Sequence, residues 1–195
     1  MTSYKGKVKS FDGGLDLEDT SKKYIGIDQS YGGFGFTVIN SKGKFQTQVY
    51  KSVGSGVDRL RDIALWLGEE FFERTHNIQD AAMEGYAYGS TMSHMLGELG
   101  GMVKMECRSW FYDCEAKYPI IVSPTTLKKY ITGKGTGVQK NQILLHTFKK
   151  WGVEFSDDNA ADSYGLARIA ANMGSLAYEK EIEAKLLDPK FREKP

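Results

Sequence analysis

The chain has 195 residues, 41% hydrophobic and 26% charged, with 26 Lys and Arg against 25 Asp and Glu for a net charge of +1. That is about one domain, long enough to bury a core without disulfides or a structural metal, and too apolar for a disordered chain. The apolar runs are too short to cross a membrane, and the polar start MTSYKGKVKSFDGG has no secretory h-region, so a cytoplasmic protein is expected.

Residues 1–21, rich in Gly, Asp, Ser and Lys, read as a loosely ordered extension. Three strands follow at 24–28 (YIGID), 34–39 (FGFTVI) and 44–50 (KFQTQVY), joined by Gly-rich and Asn-Ser-Lys-Gly turns of hairpin length. Val57, Leu60, Ile63, Ala64, Leu67, Phe71 and Phe72 mark an amphipathic helix over 56–75. AAME at 81–84 ends a further strand, a helix is predicted over 91–107, and PIIVS at 119–123 reads as a buried strand. A short helix over 124–131, the loop TGKGTG, and helical periodicity over 139–151, 159–173 and 176–187 follow. This order predicts an α/β domain over 22–175, three antiparallel strands leading into a mixed sheet with parallel strands and helices on both faces. Residues 176–195 form a C-terminal helix and tail.

Cys107 and Cys114 are too few for a disulfide scaffold, and neither they nor His76, His94 and His146 stand at zinc-ligand spacing. Charge is unevenly spread. Residues 116–153 hold seven lysines (Lys117, Lys128, Lys129, Lys134, Lys140, Lys149 and Lys150) and no Asp or Glu. Such an excess in a neutral chain suits either a nucleic-acid face or a solvated surface neutralised by acids from other segments.

Asp28 ends a strand and is followed by QSYGGFG, and Glu84 ends the run AAM and is followed by GYAYG. Asp is disfavoured in strands, so each acid is either a turn cap or a functional group at the carboxyl edge of the sheet, where α/β active sites gather. In SDDNAADSYGLARIA, Asp162 follows two alanines and precedes the apolar stripe Leu166, Ile169 and Ala170. At about 100° per residue, Asp158 and Asn159 fall within about 60° of it, and Asp157 lies well off that face. Capping accounts for Asp157 but not for Asp162, several residues into the helix. Carboxylates meeting without Cys or His specify a hard cation, Mg²⁺ or Mn²⁺, and two such ions clamp the attacking water and leaving oxygen of a phosphodiester displacement. With lysines to hold flanking phosphates, these residues point to a metal-dependent nuclease.

The segments IGIDQSYGGFGF (25–36), MEGYAYG (83–89), SPTTLKKYITGKG (123–135) and DDNAADSYGLA (157–167) come in an order that resembles the RuvC-like Holliday junction resolvases, in particular their phage branch, within the ribonuclease H-like superfamily. The likeness runs from about Tyr24 to Ala170. It implies a ribonuclease H-like fold, metal-binding catalytic acids at Asp28, Glu84 and Asp162, and a DNA backbone approached by Lys128 and Lys140, with Lys129 and Lys134 in the same basic stretch. The family places a ligand three residues before its last acid, which is Asn159 here. Asp158 is the nearest carboxylate and is preferred as the fourth catalytic acid, with Asn159 kept as a metal ligand through its amide oxygen. The loop between Gly135 and Lys140 is slightly longer than is usual for the family.

The resemblance further implies a homodimer that binds a four-way junction and nicks two strands symmetrically, with two Mg²⁺ per active site and Mn²⁺ able to substitute. Tyr86 and Tyr88 are candidates to stack on bases or to pack beside the sheet. The stripe Met92, Met95, Leu96, Leu99, Met102 and Val103 is either a dimer face or a core face. IGIDQSYGGFG also resembles the first phosphate loop of actin-like and sugar-kinase ATPases, but the second lobe and second phosphate motif are missing, and TGKGTGVQK departs from the P-loop pattern. No nucleotide cofactor is expected. A junction-binding protein without nuclease activity, or a nuclease acting on RNA or other branched DNA, are the alternatives.

Overall fold

In the computed structural model, which describes residues 3–86, 93–111 and 118–192, the strands form one mixed sheet ordered β1-β4-β3-β2-β5-β6. The strands are β1 (Lys7–Asp12), β2 (Lys23–Asp28), β3 (Phe34–Asn40), β4 (Phe45–Lys51), β5 (Ile78–Glu84) and β6 (Ile120–Val122). The first four pair antiparallel, and β5 and β6 join in parallel beyond β2. Tyr88, Met92, Cys114 and Lys117 lie outside the described residues.

Strand alternation sorts the side chains into two buried layers. Ile25 and Ile27 of β2 and Phe34, Phe36 and Val38 of β3 face one layer, where α1 (Gly56–Leu67) and α2 (Ser93–Trp110) contribute Ile63, Trp66, Leu99 and Val103. The predicted helix over 56–75 ends as a π-helical turn at Gly68–Phe72. The wider turn lets the adjacent Phe71 and Phe72 both reach the core. In the stripe on α2, Leu99 and Val103 are core residues, while Met95, Leu96 and Met102 are only partly buried.

The opposite layer holds α3 (Pro124–Thr132), α4 (Lys140–Trp151), α5 (Asp158–Ala170) and α6 (Ala177–Leu186). Here α5 lies directly on β2 and β3, and two glycines make that approach possible. A Cβ at Gly26 would sit 2.0 Å from the Ser163 carbonyl oxygen, and one at Gly35 would sit 2.4 Å from that of Asn159. Under the helix, Thr37 hydrogen-bonds both Thr47 and Ser163, so the polar groups of this contact are satisfied. The C-terminal segment is tied back by Tyr130, which donates to Glu183, by the Lys150–Glu179 ion pair, and by Arg192, which donates to Asp80 at 2.8 Å.

Residues 3–21 differ from the loosely ordered extension that the composition of 1–21 suggests. Lys7–Asp12 pair along the whole of β4, from Lys7↔Lys51 to Asp12↔Gln46, and Leu15 and Leu17 are buried in the first layer. Polar composition misled because an edge strand needs backbone pairing more than apolar side chains, and the pairing partner is not local in sequence. Before β1, side-chain acceptors hold the chain. The Tyr50 hydroxyl donates to Asp62 at 2.6 Å and accepts from the Gly6 amide at 2.7 Å, and Asp62 also accepts from the Lys5 amide and Ser52. Burial alone would push Asp62 up, yet these hydrogen bonds hold it below its ordinary carboxylate value. The latch is therefore complete above the unfolded carboxylate pKa and loosens as pH falls through the lower folded one. Tyr50→Phe should cost about 1–2 kcal/mol and accelerate amide exchange in β1, as read by hydrogen-exchange mass spectrometry. Unchanged β1 protection would show that strand pairing alone holds the extension.

Candidate active site at the carboxyl edge of the sheet

Asp28 is the last residue of β2 and Glu84 the last of β5, and the parallel pairing Ile27↔Met83 brings the two strand ends side by side. Gln29 clasps them, its side-chain amide donating to the Glu84 carbonyl oxygen at 2.7 Å. Asp157 caps α5 by accepting from the Asn159 amide, which starts the helix beside these ends. The glycine-seated helix then carries Asp158 and Asp162 into the same site. Asp28 feels Glu84, Asp158 and Asp162 electrostatically, and Asp162 feels Glu84 and Asp158.

The electrostatics are those of acids crowded out of water. Asp28, only 3% exposed, is pushed well above its ordinary value by burial first, then by Glu84 and Asp162 and by the hydrogen bond it shares with Glu84. Burial, then Glu84 and Asp158, push Asp162 up to about 8, against the pull of Lys128 and Lys140. Glu84 is raised by burial, opposed by Asp28 and Lys128. Without a counter-charge such burial and crowding favour the protonated forms of these acids.

The donor set is all oxygen, which suits a hard divalent cation. One Asp162 oxygen, Oδ1, is sealed from solvent without a hydrogen-bond partner, a vacancy in its bonding that a cation would fill. Among the described residues no three acid, histidine or cysteine side chains are drawn onto one point as a closed ligand set. Lys140, itself largely exposed, meanwhile takes one side of Asp158 as an ion pair. That pairing, with burial opposing it, raises the Lys140 ammonium above its ordinary value.

The other sequence-derived residues divide. Lys128 acts on Glu84 and Asp162, and Lys140 on Asp158 and Asp162. Lys129 instead lines a groove shared with Lys185 on α6, and Lys134 sits on the loop after α3 within electrostatic reach of His146. Asn159 gives its side-chain amide to Asp157, so Asp158 is the one of the two that couples to the other acids. Tyr86 borders a cleft of about 480 Å³ beside Glu84, together with Gln29, Tyr31 and Arg59, whose guanidinium lies 4.4 Å from the Tyr31 ring centre.

No protein-family model and no curated protein matches the chain. Among solved structures it resembles T. thermophilus RuvC in complex with a Holliday junction substrate, at 17% identity and a TM-score of 0.60, over 80% of this chain and 94% of that one. A Thermus thermophilus RuvC structure aligns at 16% identity and a TM-score of 0.54, over 87% and 97% of the two chains. The chain has a RuvC-like fold. The mixed sheet predicted from the strand pattern is present, with one further antiparallel strand, β1, beyond the five that the sequence indicated.

Three contributors to this site escaped the sequence reading. Gln29 clasps the two strand ends, and Gly26 and Gly35 seat α5. The signal for the glycines was available, because a glycine inside the strand patterns YIGID and FGFTVI marks a close backbone approach. Nothing local distinguishes Gln29, whose partner is 55 residues away.

Proposed function

We propose that the protein is a metal-dependent, structure-specific endonuclease that resolves Holliday junctions by symmetric phosphodiester cleavage. The observation that carries this reading is the gathering of Asp28, Glu84, Asp158 and Asp162 at one sheet edge, with Lys128 and Lys140 acting on the same acids. The likeness to a RuvC structure that contains a Holliday junction supports the substrate class.

Asp28, Glu84, Asp158 and Asp162 would hold two Mg²⁺ or Mn²⁺ ions, with Asn159 beside them. Bound there, such ions would polarise the scissile phosphate, lower the pKa of the attacking water and neutralise the leaving oxygen. Protein groups do the rest. Burial and crowding favour the protonated forms of Asp162 and Asp28, so cation uptake there would be coupled to proton release. Lys128 draws the acids toward their charged forms and stands ready to neutralise a flanking phosphate. Lys140, largely exposed and paired with Asp158, would be free to meet the DNA backbone where a cation took its place on that acid. Two copies of the chain related by a two-fold axis suit a two-fold junction, and the partly exposed Met95, Leu96 and Met102 offer an apolar face for that homodimer.

Labelled four-way junction, duplex and flap substrates, each with Mg²⁺, Mn²⁺, Ca²⁺ or EDTA, test the proposal. The junction is expected to be nicked with Mg²⁺ or Mn²⁺, bound without nicking in Ca²⁺, and uncut in EDTA. Ca²⁺ accepts looser coordination and positions the water poorly. Undiminished nicking in excess EDTA, or equal cutting of plain duplex, would contradict it.

A further inference from the structure

Strand β1 adds little to the core, since Lys7, Val8, Lys9 and Ser10 are all exposed. Its register nevertheless places it in line with the acids. Asp28 pairs with Gly35, Gly35 with Val49, and Val49 with Lys9, so Lys9 stands in the same row as Asp28 across the sheet. Three strand spacings separate them, about 14 Å. Residues paired in this way share a face, and the α5 face is the one they share. Phe11, two residues on from Lys9, packs on Phe155 just before α5, and Lys9 itself donates to the Ser156 carbonyl oxygen at 3.1 Å.

Lys7 lies on that face one pleat farther toward the active-site end and pairs with Lys51 of β4. The stem of Lys51 runs beside Gly33, where a Cβ would lie 3.6 Å from Lys51 Cε and 3.0 Å from the Asn159 side-chain Nδ2. The Lys51 stem thus runs beside the first turn of α5, which carries Asp158. Lys7 and Lys51 have no carboxylate partner among the described residues, and Lys9 has only Asp157 at 3.9 Å. The other face of β1 carries Val8 and Ser10 here and no lysine. A strand whose cations all lie on the face and at the end occupied by the acids is suited to a polyanion running across that edge.

The geometry points to a second phosphate-binding track, formed by Lys7, Lys9 and Lys51, along which one DNA arm lies as it leaves the acid site. The inference rests on the nuclease reading and adds to it a DNA-contacting surface on the opposite side of α5 from the basic stretch 116–153. The track carries no base-reading geometry, so its contribution is independent of sequence and falls with salt.

The test is the salt dependence of junction binding in Ca²⁺, for the parent protein, for a Lys7→Gln/Lys51→Gln double variant and for Lys128→Ala. Each lost phosphate contact lowers the magnitude of the log–log salt slope by about 0.9, so the double variant is expected to lose about 1.8. Its melting temperature should stay at the parent value, because both side chains are exposed. A reduced slope for Lys128→Ala beside an unchanged one for the double variant overturns the track and leaves the nuclease reading standing. An unchanged slope with self-association in sedimentation also overturns it, assigning the lysines to guarding a free sheet edge. Failure of the parent protein to bind the junction at all overturns both.

Discussion

Asp162→Asn should lower junction nicking by about a hundredfold to a thousandfold, the scale on which losing one electrostatic stabiliser of a transition state is felt, while junction binding stays intact or tightens. The substitution preserves side-chain shape and removes a negative charge from a site facing a polyanion. Asp162 holds its proton to about pH 8 in the folded chain, whereas the unfolded carboxyl gives it up near 3.8. The native state therefore binds more protons between those values, and stability conferred around this residue declines as pH rises through that window. Asparagine removes that cost, so in EDTA at neutral pH the variant should melt at or above the parent temperature. Melting temperature, junction affinity and nicking rate on one preparation separate the outcomes. Loss of stability and binding together would make Asp162 a structural acid, and near-parental cutting would remove it from the active site.

Gly26→Val should be the most damaging single change to the fold. Its Cβ alone would lie 2.0 Å from the Ser163 oxygen, 2.3 Å from the Ala167 amide nitrogen and 2.9 Å from the Ala167 Cα, all backbone atoms of α5. No side-chain rotation relieves such contacts, so α5 must lift from β2 and take Asp158 and Asp162 with it. Overpacking a tight core costs about 1–3 kcal/mol and sometimes more, and a backbone clash belongs at the upper end. For a chain of this length, about 3 kcal/mol is a drop of roughly 6–12 °C in melting temperature. Nicking should disappear even below the new melting point. A variant that melts and cuts like the parent would show that α5 does not depend on Gly26 for its seat.

These two residues also show what was legible in the sequence. Asp162 stood out because an acid deep in an otherwise apolar helix has no local use, and Asp28 and Glu84 because they end strands. Gly26 carried only the general mark of a glycine inside a strand, because what approaches it is a helix 137 residues further on, Ser163 packing directly on its Cα. The strands between Lys23 and Lys51 and the helices after Pro124 announced themselves by periodicity and by their stops, with Ser123 capping α3 and left-handed Gly133 and Gly152 ending α3 and α4. Strand β1 did not, because its side chains are mostly exposed and its order comes from backbone pairing to β4 and from the Tyr50–Asp62 latch. In the basic stretch, composition located the positive charge but not its direction. Lys128 and Lys140 act on the acids, while Lys129, one residue on from Lys128 around α3, turns to the α6 groove.

A supercoiled plasmid that extrudes a cruciform tests the central claim most directly, because its products distinguish junction resolution from nicking. Paired symmetric cuts across the four-way branch convert the circle to a linear molecule, whereas isolated nicks leave it open but circular. With Mg²⁺ the protein is expected to yield linear plasmid with ends at the cruciform, and none in EDTA or with Asp162→Asn. Intact supercoiled plasmid in Mg²⁺, or equal linearisation of a plasmid without the cruciform, would contradict the account.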